Sequence, residues 1–204
     1  MRNLKGVSPN LPDAELDALL VERNRRVLEA ELARRNMAAF VSFTKRDYCH
    51  NRFSRAVCEA LDLFLEDVRA GERPILILQA PPQHGKSELV SRRFPAYAFG
   101  RFPFLRIAAC SYASDLARDM NRDVQRVIDS PEYRELFPGT ALYGKNIRTV
   151  GNGSYLRNSD IFEVVGHAGC YRSAGVGGGI TGMGGHIVIV DDPFKDRASA
   201  DSPT

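Results

Sequence analysis

The chain has 204 residues, 44% hydrophobic and 26% charged, which fits one substantial globular domain with room for a small appendage. With 28 basic and 25 acidic residues, its formal net charge of +3 is too small to identify a nucleic-acid-binding protein. No apolar run approaches the roughly 20 residues that span a membrane, and no signal-peptide core follows the N-terminus, so we expect an intracellular protein. Four cysteines without C-x-x-C spacing argue against a zinc site or a disulfide framework and favour buried free thiols.

The first predicted element is a helix over Pro12 to Arg35, with Asp13 as its N-cap and acidic residues in its first turn. Its apolar stripe is irregular and its arginines lie elsewhere. This pattern indicates an arm that docks on the domain, on a partner or on DNA, or simply a helix with a solvated charged face. We predict a helical arm over residues 1–38, followed by one domain over residues 39–204.

A second helix is predicted from Ser54 to Val68, because apolar residues recur there at helical spacing and would pack on a sheet. A polar and aromatic cluster of Tyr48, His50 and Asn51 precedes it. Such a cluster ahead of the first strand can hold the adenine of a nucleotide, which makes His50 a candidate binding residue. The alternative is a histidine with a purely structural role.

A phosphate-binding loop is indicated by Ala80–Ser87, which reads A-P-P-Q-H-G-K-S. The usual spacing is G-x-x-x-x-G-K-[ST], so an alanine replaces the first glycine. We predict a buried strand over Ile75–Leu78 entering the loop and a helix over Glu88–Phe94 leaving it. In this context Lys86 would reach the β- and γ-phosphates of a nucleotide, and the Ser87 hydroxyl would ligate Mg²⁺. The alternative is a strand-to-helix turn that contains Gly-Lys-Ser by chance.

Alternating strands and helices follow the loop. Phe104–Cys110 reads as a strand, and a helix from about Ala113 ends at Ser130-Pro131. This alternation predicts a parallel sheet covered by helices. Short strand-like runs between Asn146 and Val165 fit an antiparallel hairpin or meander. The glycine-rich run from Gly175 to Gly185 is either a flexible surface loop or an element that changes shape with phosphate occupancy.

A second chemical signal follows that run. Four β-branched residues, Ile187–Val190, lead into Asp191 and Asp192, as in a buried parallel strand with acids at its carboxyl end. Ligands in open α/β sheets bind at this end. Asp191 would hold Mg²⁺, and Asp192 would orient or deprotonate an attacking water. Alternatively, the acids form a cap or turn before Pro193. Together with the loop, the strand favours an α/β P-loop NTPase.

Seven segments, in this order, resemble tailed-bacteriophage terminase large subunits. They are Ala80–Leu89, Phe94–Ala96, Ser111–Ala113, Leu136–Pro138, Gly175–Gly182, Asp191–Pro193 and Ala200–Ser202. The resemblance implies the N-terminal ATPase domain of a motor that packages DNA into a prohead, with an ASCE/RecA-like parallel sheet flanked by helices. Its implied partners are double-stranded DNA, the portal protein, the terminase small subunit and further copies in a ring, with no membrane involved, in the cytoplasm of a bacterial host.

The implied cofactors are ATP and Mg²⁺. The resemblance places Lys86 and Ser87 on phosphate and Mg²⁺, Asp191 on Mg²⁺, and Asp192 as the catalytic carboxylate. The full set of candidate nucleotide-binding residues is Pro82, Gln83, His84, Gly85, Lys86, Ser87 and His50.

The chain departs from the family pattern in three ways. Gln83 and Met183 stand where many relatives carry arginine, so Arg172, Arg148 or another residue would have to substitute, or hydrolysis is slow. The sequence also stops before the family's coupling motif and nuclease domain, so we expect no nuclease activity. Arg148, Arg157 and Arg172 are candidates for contacting DNA or a neighbouring subunit, or ordinary surface arginines. Two alternatives remain: a truncated protein that only binds nucleotide or a partner, and a helicase-like P-loop ATPase.

Overall fold

The computed structural model describes residues 13–81, 83–142, 155–175 and 185–195. Within these ranges the chain forms an α/β architecture, a four-stranded mixed sheet flanked by helices. Among the described helices, none is long and apolar enough to cross a membrane. Several segments of interest lie outside the described residues: Pro82, the first part of the hairpin region, most of the glycine-rich run, and Ala200–Ser202.

Three helices open the fold: α1 (Asp13–Ala33), α2 (Met37–Thr44) and α3 (Arg52–Arg69). The side chains of Asn36 and Asn51 cap α2 and α3, each accepting a hydrogen bond from a backbone N–H three residues on. The predicted helices over residues 12–35 and 54–68 are therefore confirmed. The last turns of α1 bury Ala30 and Ala33 in the same hydrophobic core as the sheet. The boundary predicted at residue 38 stays a prediction.

The sheet contains β1 (Arg106–Ser111), β2 (Ile161–Glu163), β3 (Cys170–Gly175) and β4 (Ile187–Val190) in the order β2-β3-β1-β4. β1 runs parallel to both β3 and β4, whereas β2 is antiparallel to β3. The strands predicted near residues 104–110 and 187–190 are confirmed, and so is antiparallel pairing near residue 160. The prediction that residues 187–190 form a buried strand is wrong for one face, because β4 is an edge strand on which Val188 and Val190 are 57% and 58% exposed. The predicted parallel sheet is present in β3, β1 and β4, and β2 makes the whole sheet mixed, because it returns to β3 through a short turn rather than a helical crossover.

After β1, the chain forms α5 (Ser114–Asp129) and α6 (Pro131–Leu136), so the predicted helix ending at Ser130-Pro131 is confirmed. The Ser130 hydroxyl accepts a hydrogen bond from the Tyr133 backbone and thereby begins α6. Side chains from α2, α4 (Phe94–Arg101) and α6 meet in an aromatic cluster at the centre of the core, made by Phe40, Tyr97, Tyr133 and Phe137.

The strand predicted over Ile75–Leu78 is wrong. Ile75 and Ile77 are 88% and 76% exposed, while Leu76 and Leu78 are partly buried against the core. Side-chain burial therefore alternates along this segment, as it does in an extended chain. The segment is not a strand, because residues 73–81 make no backbone–backbone hydrogen bond to another described residue. A groove of about 650 Å³ separates this segment from β4, which is the edge of the sheet. Without a neighbouring ladder, alternation alone does not make a strand.

The helix predicted after the loop is present. It begins at Lys86, and its residues Glu88–Arg93 form a π-helix. The Phe94 N–H donates to the Leu89 carbonyl five residues earlier, and α4 continues from there. In an α-helix the N–H of residue 95 would donate to the carbonyl of Ser91, but Pro95 has no N–H. The change from π-helix to α-helix therefore occurs next to a residue that cannot make the α-helical hydrogen bond. Short π-helical turns are frequent at functional sites.

Candidate functional site

The candidate site lies where the loop meets the carboxyl end of β4. Lys86 Nζ is 3.2 Å from Asp192 Oδ1 and 3.3 Å from Asp191 Oδ1. Burial disfavours the charged ammonium, but the hydrogen bond to Asp192 and the charge of Asp191 outweigh it and raise the pKa of Lys86. The structure therefore brings together three candidate residues that are about a hundred positions apart in the sequence.

The loop reaches Lys86 through two left-handed residues. Gln83 has φ 63° and Gly85 has φ 78°, and both Gln83 and His84 are exposed. Glycine adopts this conformation without penalty, whereas glutamine rarely does. Lys86 and Ser87 occupy the first helical turn, and the Leu89 N–H donates to the Gly85 carbonyl at 3.2 Å. The backbone of the loop therefore turns sharply just before the helix begins.

The two carboxylates at the end of β4 have different environments. The Asp191 side chain is 5% exposed, and its backbone N–H donates to the Cys110 carbonyl of β1. The Asp192 side chain is 60% exposed on a left-handed residue with φ 46°, and the Asp192 carbonyl accepts from the Tyr112 N–H. Asp191 is thus fixed in the protein, and Asp192 is presented to solvent.

Ser91, which the sequence analysis missed, anchors Asp191. Its fully buried hydroxyl donates to Asp191 Oδ2 at 2.7 Å. The sequence could have placed Ser91 on the same side of the helix as Ser87, because residues i and i+4 share one face of a helix. The pairing with Asp191 itself could not be predicted from spacing, because it spans a hundred residues.

Glu88 ties the π-helix to α2. It accepts hydrogen bonds from Arg93 Nε at 2.9 Å and Arg92 Nη1 at 3.1 Å, and Lys45 lies 3.9 Å away. Arg93 also donates to the backbone and side-chain oxygens of Thr44, both at 3.1 Å. Burial would raise the pKa of Glu88, but the hydrogen bond and charge of Arg93, with Arg92 and Lys45, lower it. The helix that carries the loop is therefore held by a partly buried charge cluster.

The aromatic cluster predicted ahead of the loop lies beside it. A Cβ placed on Gly85 would be 3.5 Å from the Tyr48 hydroxyl, and the Tyr48 and His50 rings pack edge to face at 4.8 Å. Both ring nitrogens of His50 have protein partners: Nε2 lies 3.0 Å from the Ala38 carbonyl, and Nδ1 lies 3.4 Å from the Ser54 hydroxyl. These bonds give His50 a structural role, and its contact with adenine stays a prediction.

Among the arginines, Arg157 is buried and pairs with Asp129 and Gln125 under α5. Its interpretation as an ordinary surface arginine is therefore wrong, and so is its candidacy for contacting DNA or a neighbouring subunit, because its guanidinium is used inside the protein. Arg172 is exposed on β3, whereas Arg148 and Met183 lie outside the described residues. Cys58 and Cys110 are buried free thiols as predicted, but Cys49 is exposed.

The donor set suits a hard cation that is bound largely by other ligands. In the described ranges, no three His, Cys, Asp or Glu side chains form a metal-binding group. Carboxylate oxygens of Asp191 and Asp192 lie near Lys86, and Ser87, the next residue in the chain, carries a hydroxyl. Mg²⁺ is commonly held by one or two carboxylates together with substrate phosphates and waters. These residues fit a Mg²⁺-nucleotide better than a metal cage made by protein alone.

No curated protein and no solved structure matches the chain in the comparisons with known proteins. One family model does match, the N-terminal region of the terminase large subunit of the T4-like virus type, over residues 77–204. The match begins just before the loop and includes Lys86, Asp191 and Asp192. Since it covers well over half of the chain, the protein belongs to the family of terminase large subunit N-terminal regions.

Proposed function

We propose that this chain is the ATP-binding and ATP-hydrolysing region of a phage DNA-packaging motor. The observation that carries the proposal is the position of Lys86 between Asp191 and Asp192 at the carboxyl end of a parallel strand. Family membership supports a role in DNA packaging, and this arrangement supports the nucleotide chemistry. A P-loop NTPase fold of the ASCE/RecA-like type is part of the proposal.

The nucleotide phosphates would lie against the loop formed by residues 82–87, at the start of the helix that follows. Lys86 would exchange its present carboxylate partners for phosphate oxygens, which form similarly charge-assisted bonds. Ser87 and Asp191 would hold Mg²⁺, which supplies a positive charge that stabilises the transferring phosphoryl group. Asp192, which is exposed beside them, would orient or deprotonate the attacking water.

In the packaging motor, hydrolysis would be coupled to movement of double-stranded DNA. The family implies a portal protein, a terminase small subunit and a ring of identical subunits as partners. Stimulation of ATP hydrolysis by proheads, without strand displacement, would distinguish this motor from a helicase-like ATPase.

Titration with a fluorescent ATP analogue in the presence of Mg²⁺ tests the site directly. Replacing Lys86→Ala should weaken binding by at least about 10-fold, since a charge-assisted hydrogen bond contributes about 1.5–3 kcal/mol. Lys195→Ala is the matched control, because Lys195 is an exposed lysine in the same part of the chain, and it should change affinity less than twofold. Absence of binding by the wild-type protein would refute the site. Unchanged binding by Lys86→Ala would remove its central residue.

Nucleotide binding without turnover is the second candidate function. It is favoured by Gln83, which is exposed in the left-handed loop where the family resemblance places arginine. A transition-state arginine contributes about 10³–10⁵ to the rate of phosphoryl transfer. Phosphate release should therefore be slow, and Asp192→Asn should abolish it without changing ATP affinity. Release that persists in Asp192→Asn would contradict the role of Asp192.

A further inference from the structure

We infer that Ser91 is a positioning residue, which orients Asp191 so that one carboxylate oxygen faces the site. The Ser91 hydroxyl is fully buried and donates to Asp191 Oδ2 at 2.7 Å. The other oxygen, Oδ1, lies 3.3 Å from Lys86 Nζ. The two oxygens of one carboxylate therefore have separate partners, a buried hydroxyl on one side and the candidate phosphate-binding lysine on the other.

This contact fixes the orientation of a buried carboxylate. Asp191 is the first residue after β4, the edge strand of the sheet, and its side chain is 5% exposed. A hydrogen bond to a charged acceptor in a buried site is among the stronger ones. It holds Oδ2 inside the protein and leaves Oδ1 as the oxygen available to a cation.

The π-helix provides a rigid base for the hydroxyl. Ser91 lies in its middle, next to the charge cluster of Glu88 and Arg93, which fastens the helix to Thr44 of α2. Leu89, two residues earlier, is fully buried. Ser87, the predicted metal ligand, lies on the same short helical segment, so one rigid element would set the distance between that ligand and Asp191.

The role of Ser91 in metal binding depends on the proposed function, whereas its contact with Asp191 does not. In metal sites, residues that orient a ligand typically change affinity by 10–100-fold when they are removed. Ser91→Ala should therefore act on the Mg²⁺ dependence of ATP binding. It should leave the affinity for ATP in excess EDTA nearly unchanged, because the loop and Lys86 are intact.

The experiment measures fluorescent-ATP affinity across a Mg²⁺ titration and in EDTA. Ser91→Ala and the nearly isosteric Ser91→Cys, which is only a weak donor, should raise the half-saturating Mg²⁺ concentration about 10-fold. Affinity in EDTA should change less than twofold in both. Ser111→Ala is the matched control, because the Ser111 hydroxyl is equally buried but has no hydrogen-bond partner within the described part of the chain. It should resemble the wild type in both conditions.

An unchanged Mg²⁺ requirement in Ser91→Ala would overturn the inference, and so would an equal loss of affinity with and without Mg²⁺ or a Ser91→Cys variant that behaves as wild type. The last would show that packing matters rather than the hydrogen bond. A Mg²⁺ effect of the same size in Ser111→Ala would also remove the assignment to Ser91.

A nucleotide-free measurement separates this inference from the proposed function. Urea unfolding of Ser91→Ala, Asp191→Ala and the double variant should show non-additive losses, since each single change removes the same hydrogen bond. Additive losses would overturn the inference even if the wild type binds Mg²⁺-ATP normally. A wild type without Mg²⁺-dependent ATP binding would instead refute the proposed function, and the metal-positioning role with it, whatever the unfolding data show.

Discussion

Two walls of the candidate site are built in different ways. The acid wall, which is β4 with Asp191 and Asp192, is hydrogen-bonded to β1, and its inward side chains are buried. The loop wall, residues 73–81 and 83–87, has no ladder to the sheet among the described residues and exposes every second residue of its extended part. The groove between the two walls is bridged by Lys86. The sheet therefore holds Asp191 and Asp192 in position, whereas the loop is held mainly by the helix that follows it.

The two walls should differ most in the free energy of unfolding that is lost when an isoleucine in each is replaced by alanine. Ile189→Ala should destabilise the protein by about 2–5 kcal/mol, because Ile189 is 5% exposed on the inner face of β4. Ile77→Ala should change the free energy of unfolding by no more than about 0.5 kcal/mol, because Ile77 is exposed. Urea unfolding measures both. Similar losses would show that the loop wall is buried against the sheet in solution.

The second test concerns the helix that holds the loop wall. Glu88→Gln should lower stability at pH 7 by about 1.5–3 kcal/mol, because Arg93 loses a charged, partly buried partner. Since the pKa of Glu88 is lowered in the folded state, its contribution is present above its ordinary pKa and is lost as pH falls through the folded value. The difference between wild type and variant should therefore shrink in acid.

Glu59→Gln provides the control for that experiment, because Glu59 is exposed on α3. It should change stability by less than about 0.5 kcal/mol at either pH. A difference between wild type and Glu88→Gln that is constant with pH would show that the charge of Glu88 is not what holds the π-helix.

The acid wall could be predicted from sequence because its signal is local. Ile187–Val190 is a continuous β-branched run, and its two acids follow directly, so strand and chemistry are read from six adjacent residues. Family resemblance and loop spacing similarly located Lys86. The strand and the proximity of Lys86 to the two acids are confirmed, because both follow from local sequence signals, whereas the chemical roles of these residues stay predictions.

The loop wall and the anchoring contacts could not be predicted in the same way. The continuous apolar run Ile75–Leu78 predicts a buried strand, but it does not show whether a neighbouring strand is present, and the side chains of Ile75 and Ile77 are in fact exposed. Ser91 and Arg157 were missed or misassigned because their partners, Asp191 and Asp129, are distant in sequence. A buried polar side chain shows its role only when its partner is known.

A third test compares two glycines. Gly85→Ala should cost about 1–2 kcal/mol, since an L-residue is strained at φ 78° while the nearest atom, the Tyr48 hydroxyl, would be at an ordinary contact distance of 3.5 Å. Gly139→Ala is the control, because a Cβ there meets nothing within 4 Å and the backbone is not left-handed. It should be neutral or slightly stabilising. Equal stabilities would show that the loop leaves its left-handed turn when no nucleotide is bound.

The smallest expected effect concerns the bridge itself. Without nucleotide, Lys86→Met should change stability by only about 0–1 kcal/mol, because Asp192 is largely exposed and the pair is screened by solvent. The pKa of Lys86 is raised in the folded state, so its contribution is present below its ordinary pKa and is lost as pH rises through the folded value. Urea unfolding at pH 7 and at a pH well above 10.5, the ordinary pKa of lysine, should therefore show the variant and the wild type converging at high pH.

A loss of several kcal/mol in Lys86→Met would contradict this view of the bridge. It would mean that the ion pairs of Lys86 hold the loop wall in place, so that a nucleotide phosphate would have to compete with a strong internal contact. A small loss has the opposite consequence. Lys86 could then exchange Asp191 and Asp192 for phosphate oxygens at little cost, with Asp191 kept in position by the Ser91 hydroxyl and Asp192 released to solvent.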